Sequence, residues 1–131
     1  MNGVTPIPTN LKTHRTIQLH SSGHAVLITD NYRDKFVTEI VITRRDSSIV
    51  RNGIRDSRNP FLTGRVRCGV LNEGGRIEVA CFVDRTSRGG VLSLGKCVEG
   101  EPKALLRLSA DEVSDLEIAL DRLEKTNRST R

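Results

Sequence analysis

Seven arginines fall within one run, RRDSSIVRNGIRDSRNPFLTGRVR: Arg44, Arg45, Arg51, Arg55, Arg58, Arg65 and Arg67. Only Asp46 and Asp56 oppose them, an excess of five positive charges. That equals the excess of the whole chain, which has 21 basic and 16 acidic residues, so the flanking segments cancel. Every base in the run is arginine. A guanidinium is planar, permanently charged and forked, so it matches two phosphate oxygens or a base edge better than an ammonium does. Such charge gathered in one stretch points to a polyanionic partner, most simply nucleic acid. A solvated arginine-rich loop is the plain alternative.

Other chemistry finds less support. His20 and His24 are four apart, a spacing suited to metal ligation on a helix, but they flank a predicted turn with no carboxylate or cysteine close in sequence. No serine has the setting of a nucleophile elbow. The stretch from Thr86 to Gly90 could offer backbone N–H groups and Arg88 to a phosphate, yet it lacks the lysine and the strand-to-helix context of a nucleotide loop. Cys68, Cys81 and Cys97 are widely spaced, form no CxxC pair and read as reduced core fillers. No catalysis, metal or cofactor is expected.

These residues need elements to position them. The length suits a single β-rich domain over 1–131. No apolar run approaches the ~20 residues of a membrane span. MNGVTPIPTNLK lacks a basic start followed by an apolar stretch, so no secretory signal is expected. The expectation is a cytoplasmic protein, or alternatively a virion component. Residues 1–12 read as an N-terminal arm, and THRTIQLHSSGHAVLIT reads as a hairpin about Ser21-Ser22-Gly23. FVTEIVIT, over 36–43, is the next strand.

Residues 44–63 form an arginine-rich insertion. Arg51, Arg55 and Arg58 would share one face of a short helix, with Val50, Ile54 and Phe61 on another. Gly53 weakens that helix, so the segment reads as a mobile or semi-ordered arm. A four-strand-plus-helix unit then spans 65–125. RVRCGVL, RIEVACFVD, GVLSLGKC and PKALLRLS are its strands, and a capping box from Ser109 to Glu112 opens its helix. Val113, Leu116, Ala119, Leu120 and Leu123 form an apolar stripe that predicts a helix over 110–125. No internal repeat is legible. The expected fold is α+β: one antiparallel sheet of about six to seven strands, opened by the hairpin, with one C-terminal amphipathic helix packed on one face.

Alternation sorts the strands of 65–125 into two faces. Val66, Cys68, Val70, Ile77, Val79, Cys81, Val83, Ala104, Leu106 and Leu108 make an apolar set, for which the C-terminal helix is the natural lid. The opposite face receives Arg65, Arg67, Arg76, Glu78, Phe82, Lys103 and Arg107. Cations that track phosphates beside a ring that stacks on a base suit single-stranded nucleic acid. The ordinary polar outer face of a half-buried sheet is the competing account. Four aromatics and no tryptophan leave stacking a minor share of any binding.

GRVRCGVL, GGRIEVACFVD, RGGVLSLGK and KALLRLSADEVSDLEIALDRL together resemble the single-stranded nucleic-acid binders of the transcriptional-coactivator, Pur and whirly type. That resemblance implies binding of DNA or RNA on the sheet face through Arg65, Arg67, Arg76, Phe82, Lys103 and Arg107, and a homodimer or larger homo-oligomer. The chain is also similar to the coat proteins of small RNA phages in its length, opening hairpin, antiparallel sheet and closing helix. That resemblance implies a self-assembling shell that binds genomic RNA.

Overall fold

The computed structural model describes residues 15–31, 38–87 and 89–129. β1 (Arg15–Leu19) and β2 (Ala25–Asp30) form the hairpin, closed by the Gly23 N–H donating to the His20 carbonyl at 2.8 Å. β3 (Thr38–Thr43) pairs antiparallel with β2. A single 3-10 turn, Arg44–Asp46, leads into helix α1 (Ser47–Ser57). A second meander follows, β4 (Arg65–Leu71), β5 (Ile77–Thr86), β6 (Gly89–Val98) and β7 (Glu101–Arg107), and helix α2 (Ala110–Ser129) closes the chain.

Strand alternation gives each meander one apolar face. In the first, the register sets Val26 against Ile42 and Ile28 against Ile40, with Ile17 and Leu19 alongside on β1. In the second, Leu71 pairs with Val79, Val83 with Leu92, and Leu94 with both Cys81 and Leu106. Neither face is closed by its own helix. α1 follows the first meander and packs on β4, β5 and β6, whereas α2 follows the second and packs along β1 and β2 and against α1. The helices are exchanged. Val50 and Ile54 of α1, the stripe Val113, Leu116, Ala119, Leu120 and Leu123 of α2, and the inner residues of both sheets therefore merge into one core.

Several expectations are corrected. The strands form two sheets, ordered β1-β2-β3 and β4-β5-β6-β7, because α1 stands between β3 and β4 and pairing stays within each meander. The lid over the second sheet is α1, and α2 covers the first. The expected mobile arm is, over 47–57, a regular helix with Val50 and Ile54 buried as its stripe. Phe61 lies beyond the helix and is exposed. The capping box is present in both directions: Glu112 N–H donates to Ser109 Oγ at 3.2 Å, and Ser109 N–H to Glu112 Oε1 at 2.9 Å.

Gly53 has a packing role. A Cβ there would stand 2.7 Å from Leu92 Cδ1 and 3.1 Å from Cys81 Sγ, so its absence lets α1 settle onto β5 and β6. In an exposed helix, glycine to alanine gains about 1 kcal/mol. Here overpacking outweighs that gain, and Gly53→Ala is expected to lose about 1–3 kcal/mol, read as a lower midpoint in thermal or denaturant unfolding.

Candidate nucleic-acid interface

The outer face of the second sheet is set by a bulge. The β4–β5 register shifts between Arg67 and Gly69, and Gly69 takes φ +147°, a conformation that other residues rarely adopt. Val66 and Cys68 point inward before the bulge and Leu71 after it, so Val70 turns outward against the strict alternation expected of it. The rung across all four strands then reads Arg67, Phe82, Ser93, Arg107. The rung on one side is Arg65, Asp84, Val91, and on the other Val70, Ala80, Gly95, Leu105.

One end of this face concentrates the chemistry. The Arg65 guanidinium lies over the Phe82 ring, Cζ 4.5 Å from the centroid, while its Nε donates to Asp84 Oδ1 at 2.7 Å. Arg67 and Arg107 are exposed and have no carboxylate partner among the described residues. They stand three strand spacings apart, roughly 14 Å, on either side of Phe82 and Ser93. Leu105 adds an apolar side chain that is 49% exposed. Among the described residues neither helix packs on this face.

The other arginines lie elsewhere. Arg76 precedes β5 at the far end of the sheet and pairs with Glu99 at 3.0 Å. Lys103, beside the β6–β7 irregularity, is 3.6 Å from Glu101. Arg44 and Arg45 sit in the 3-10 turn, and the Asp46 carboxylate that follows accepts from the Asn72 N–H at 2.9 Å, which fixes the start of α1 to the β4–β5 turn. Arg51 and Arg55 ride on α1 and Arg58 caps its C-terminal end, and the helix covers the inner face. A sheet and its helix layer therefore separate them from Phe82, so the arginine-rich run is not one patch in space.

Two of them hold the exchanged helices together. Arg51 Nε donates to Glu124 Oε2 at 2.8 Å and its Nη2 to Asp121 Oδ1 at 2.6 Å, while Arg58 forks onto both oxygens of Glu117 at 3.0 and 3.1 Å. Hydrogen bonding to Glu124 and then Asp121 raises the Arg51 pKa, and Glu117 does the same for Arg58. Arg55 is 3.6 Å from its neighbour Asp56. A surface pair couples by about 0.2–1 kcal/mol. A double-mutant cycle of Arg51→Ala with Glu124→Ala is expected to return a coupling in that range from unfolding midpoints.

Sequence reasoning overlooked Ser93, Gly95 and Leu105. The signal for Ser93 and Gly95 was the alternation of Val91, Ser93, Gly95 and Cys97 against Leu92 and Leu94 in β6, and for Leu105 its place between Lys103 and Arg107 in β7.

No protein-family model matches the chain, and no curated protein matches it in sequence. Among the described residues no cluster of His, Cys, Asp or Glu could hold a metal ion, and no helix is long and apolar enough to cross a membrane. Cys68 and Cys81 flank Gly53 under α1 as free thiols. Burial, followed by the influence of Cys68, pushes the Cys81 thiol up from 9.0 to about 12. A thiol held neutral in the fold contributes stability that is full below pH 9.0 and lost as pH rises towards about 12, because the unfolded chain ionises first. Unfolding midpoints are expected to fall across that window, and less so in Cys81→Ala measured against its own neutral-pH value.

Proposed function

We propose that this protein binds single-stranded DNA or RNA, without catalysis, on the outer face of its second sheet. One observation carries the proposal. Two exposed arginines with no carboxylate partner among the described residues flank an aromatic ring capped by a third arginine, on a sheet face that the described helices leave open. The guanidinium groups would hold phosphates, and the ring needs a base that is free to leave its own stack. A duplex keeps its bases stacked and paired, so a single strand fits better.

The outer face of the first sheet serves as an internal contrast. It presents Thr16, Gln18, Leu27, Thr29, Glu39, Val41 and Thr43, with no basic residue among the described residues. Among the described residues, the outer-face cations of the two sheets all lie on the second. The α1 arginines are set aside from the binding site because Arg51 and Arg58 latch α1 to α2. This narrows the site to Arg65, Arg67, Phe82 and Arg107, with Arg76 and Lys103 at the far end.

Binding of labelled single strands is expected to weaken with salt, log K against log salt sloping by roughly −0.7 per phosphate held. Arg67→Ala and Arg107→Ala should each weaken binding and flatten that slope by about one such contact, without moving the unfolding midpoint. Arg51→Ala should leave binding unchanged. Binding that ignores salt, or that survives loss of both Arg67 and Arg107, would refute the proposal. Size exclusion with absorbance at two wavelengths should show a dimer or small oligomer, not a shell-sized particle that carries RNA.

A further inference from the structure

We propose that the same face holds a seat for one unstacked nucleobase, formed by Phe82, Gly95 and Leu105, with the Ser93 hydroxyl as its polar contact. The inference rests on the single-strand proposal and adds base preference to it.

Three separate observations meet here. First, Ser93 lies between the core residues Leu92 and Leu94, so its side chain points to the outer face. It is fully buried there, and its hydroxyl finds no hydrogen-bond partner among the described residues. A buried hydroxyl without a partner is costly and rare in native proteins, and a ligand edge would satisfy it.

Second, the fold has no need of a glycine at position 95. Its φ lies outside the positive region, and an added Cβ would meet only Phe82 Cε1 at 3.8 Å and Leu105 Cδ1 at 3.9 Å, ordinary contact distances. A side chain there would fit the fold and would fill the gap between the ring and Leu105. Glycine inside a strand weakens it and often marks a place where a ligand approaches closely. With Ala80 and Val70 on the same rung, the floor is flat and apolar.

Third, the Phe82 ring is covered by the Arg65 guanidinium, a planar group that is exchangeable because its side chain is 64% exposed. A base is also planar. It can slide onto the ring as Arg65 swings aside on its tether to Asp84, and Arg65 is then free to meet the adjoining phosphate. The Ser93 hydroxyl can donate and accept, so it meets a base edge once the ring shifts. Arg67 and Arg107, at the two ends of the Ser93 rung, hold the chain that carries this base.

The test uses the full-length protein with labelled homopolymers of each base, as DNA and as RNA, alongside Gly95→Val and Ser93→Ala. Wild type should favour one base. Gly95→Val should bind that homopolymer about tenfold more weakly, the order of a lost stacking contact, with its unfolding midpoint unchanged or raised by the better strand former. Ser93→Ala should narrow the spread between homopolymers while keeping the salt slope. If all homopolymers bind wild type and both variants alike, with the salt slope intact, the base seat is overturned and phosphate binding stands. If wild type binds none of them, both proposals fall together.

Discussion

Each β-meander of this protein leaves its apolar face to be closed by the helix that follows the other meander. A sheet with one apolar face cannot stand alone in water, so neither half can be completed before the other arrives. The core that results is shared by both sheets and both helices. Arg51 and Arg58 lock the crossing where the two helices meet, through three carboxylates of α2. Arg15 adds a second tie, from β1 to Asp30 and to Glu112 in the first turn of α2. The ion pairs are individually weak, and the burial of aliphatic side chains supplies the main driving force.

The exchange also decides what remains outside. With both helices spent on inner faces, two outer sheet faces are left, and their chemistry differs sharply. The first is rich in threonine and has no cation among the described residues. The second carries Arg65, Arg67 and Arg107 around Phe82, and it is the bulge at Gly69 that sends Val70 outward to extend its apolar floor. On this face the charges of Arg67 and Arg107 meet no carboxylate among the described residues, in contrast to those of Arg51 and Arg58. Long-range attraction of a polyanion draws on the net field, and local capture draws on the unpaired groups.

Much of the fold could be read along the chain. Alternating Val, Ile and Leu marked the seven strands, Ser21-Ser22-Gly23 marked the hairpin, and Ser109 with Glu112 marked the start of α2. What failed to show was non-local. Gly53 counts against a helix by propensity, but its value lies in the approach of Leu92, which is 39 positions away in sequence. The partners of Arg51 and Arg58 lie 59 to 73 residues on, so a count of charge along the chain could not reveal that the run is divided between a helix latch and a sheet face. Strict period-two reasoning placed Val70 inside, because a bulge adds one residue without announcing itself except by a glycine. The helix exchange leaves no local trace, since the same apolar stripes would fit either sheet.

The proposed single strand would lie on the outer face of β4–β7 and not on α1. Amide and side-chain chemical-shift mapping by NMR, with an unlabelled single strand titrated into the labelled protein, reads this most directly. The largest changes are expected at Arg67, Phe82, Ser93, Gly95 and Arg107, with α1 and the threonine-bearing face of β1–β3 quiet. Changes centred on Arg51, Arg55 and Arg58, or spread evenly over both sheets, would contradict it.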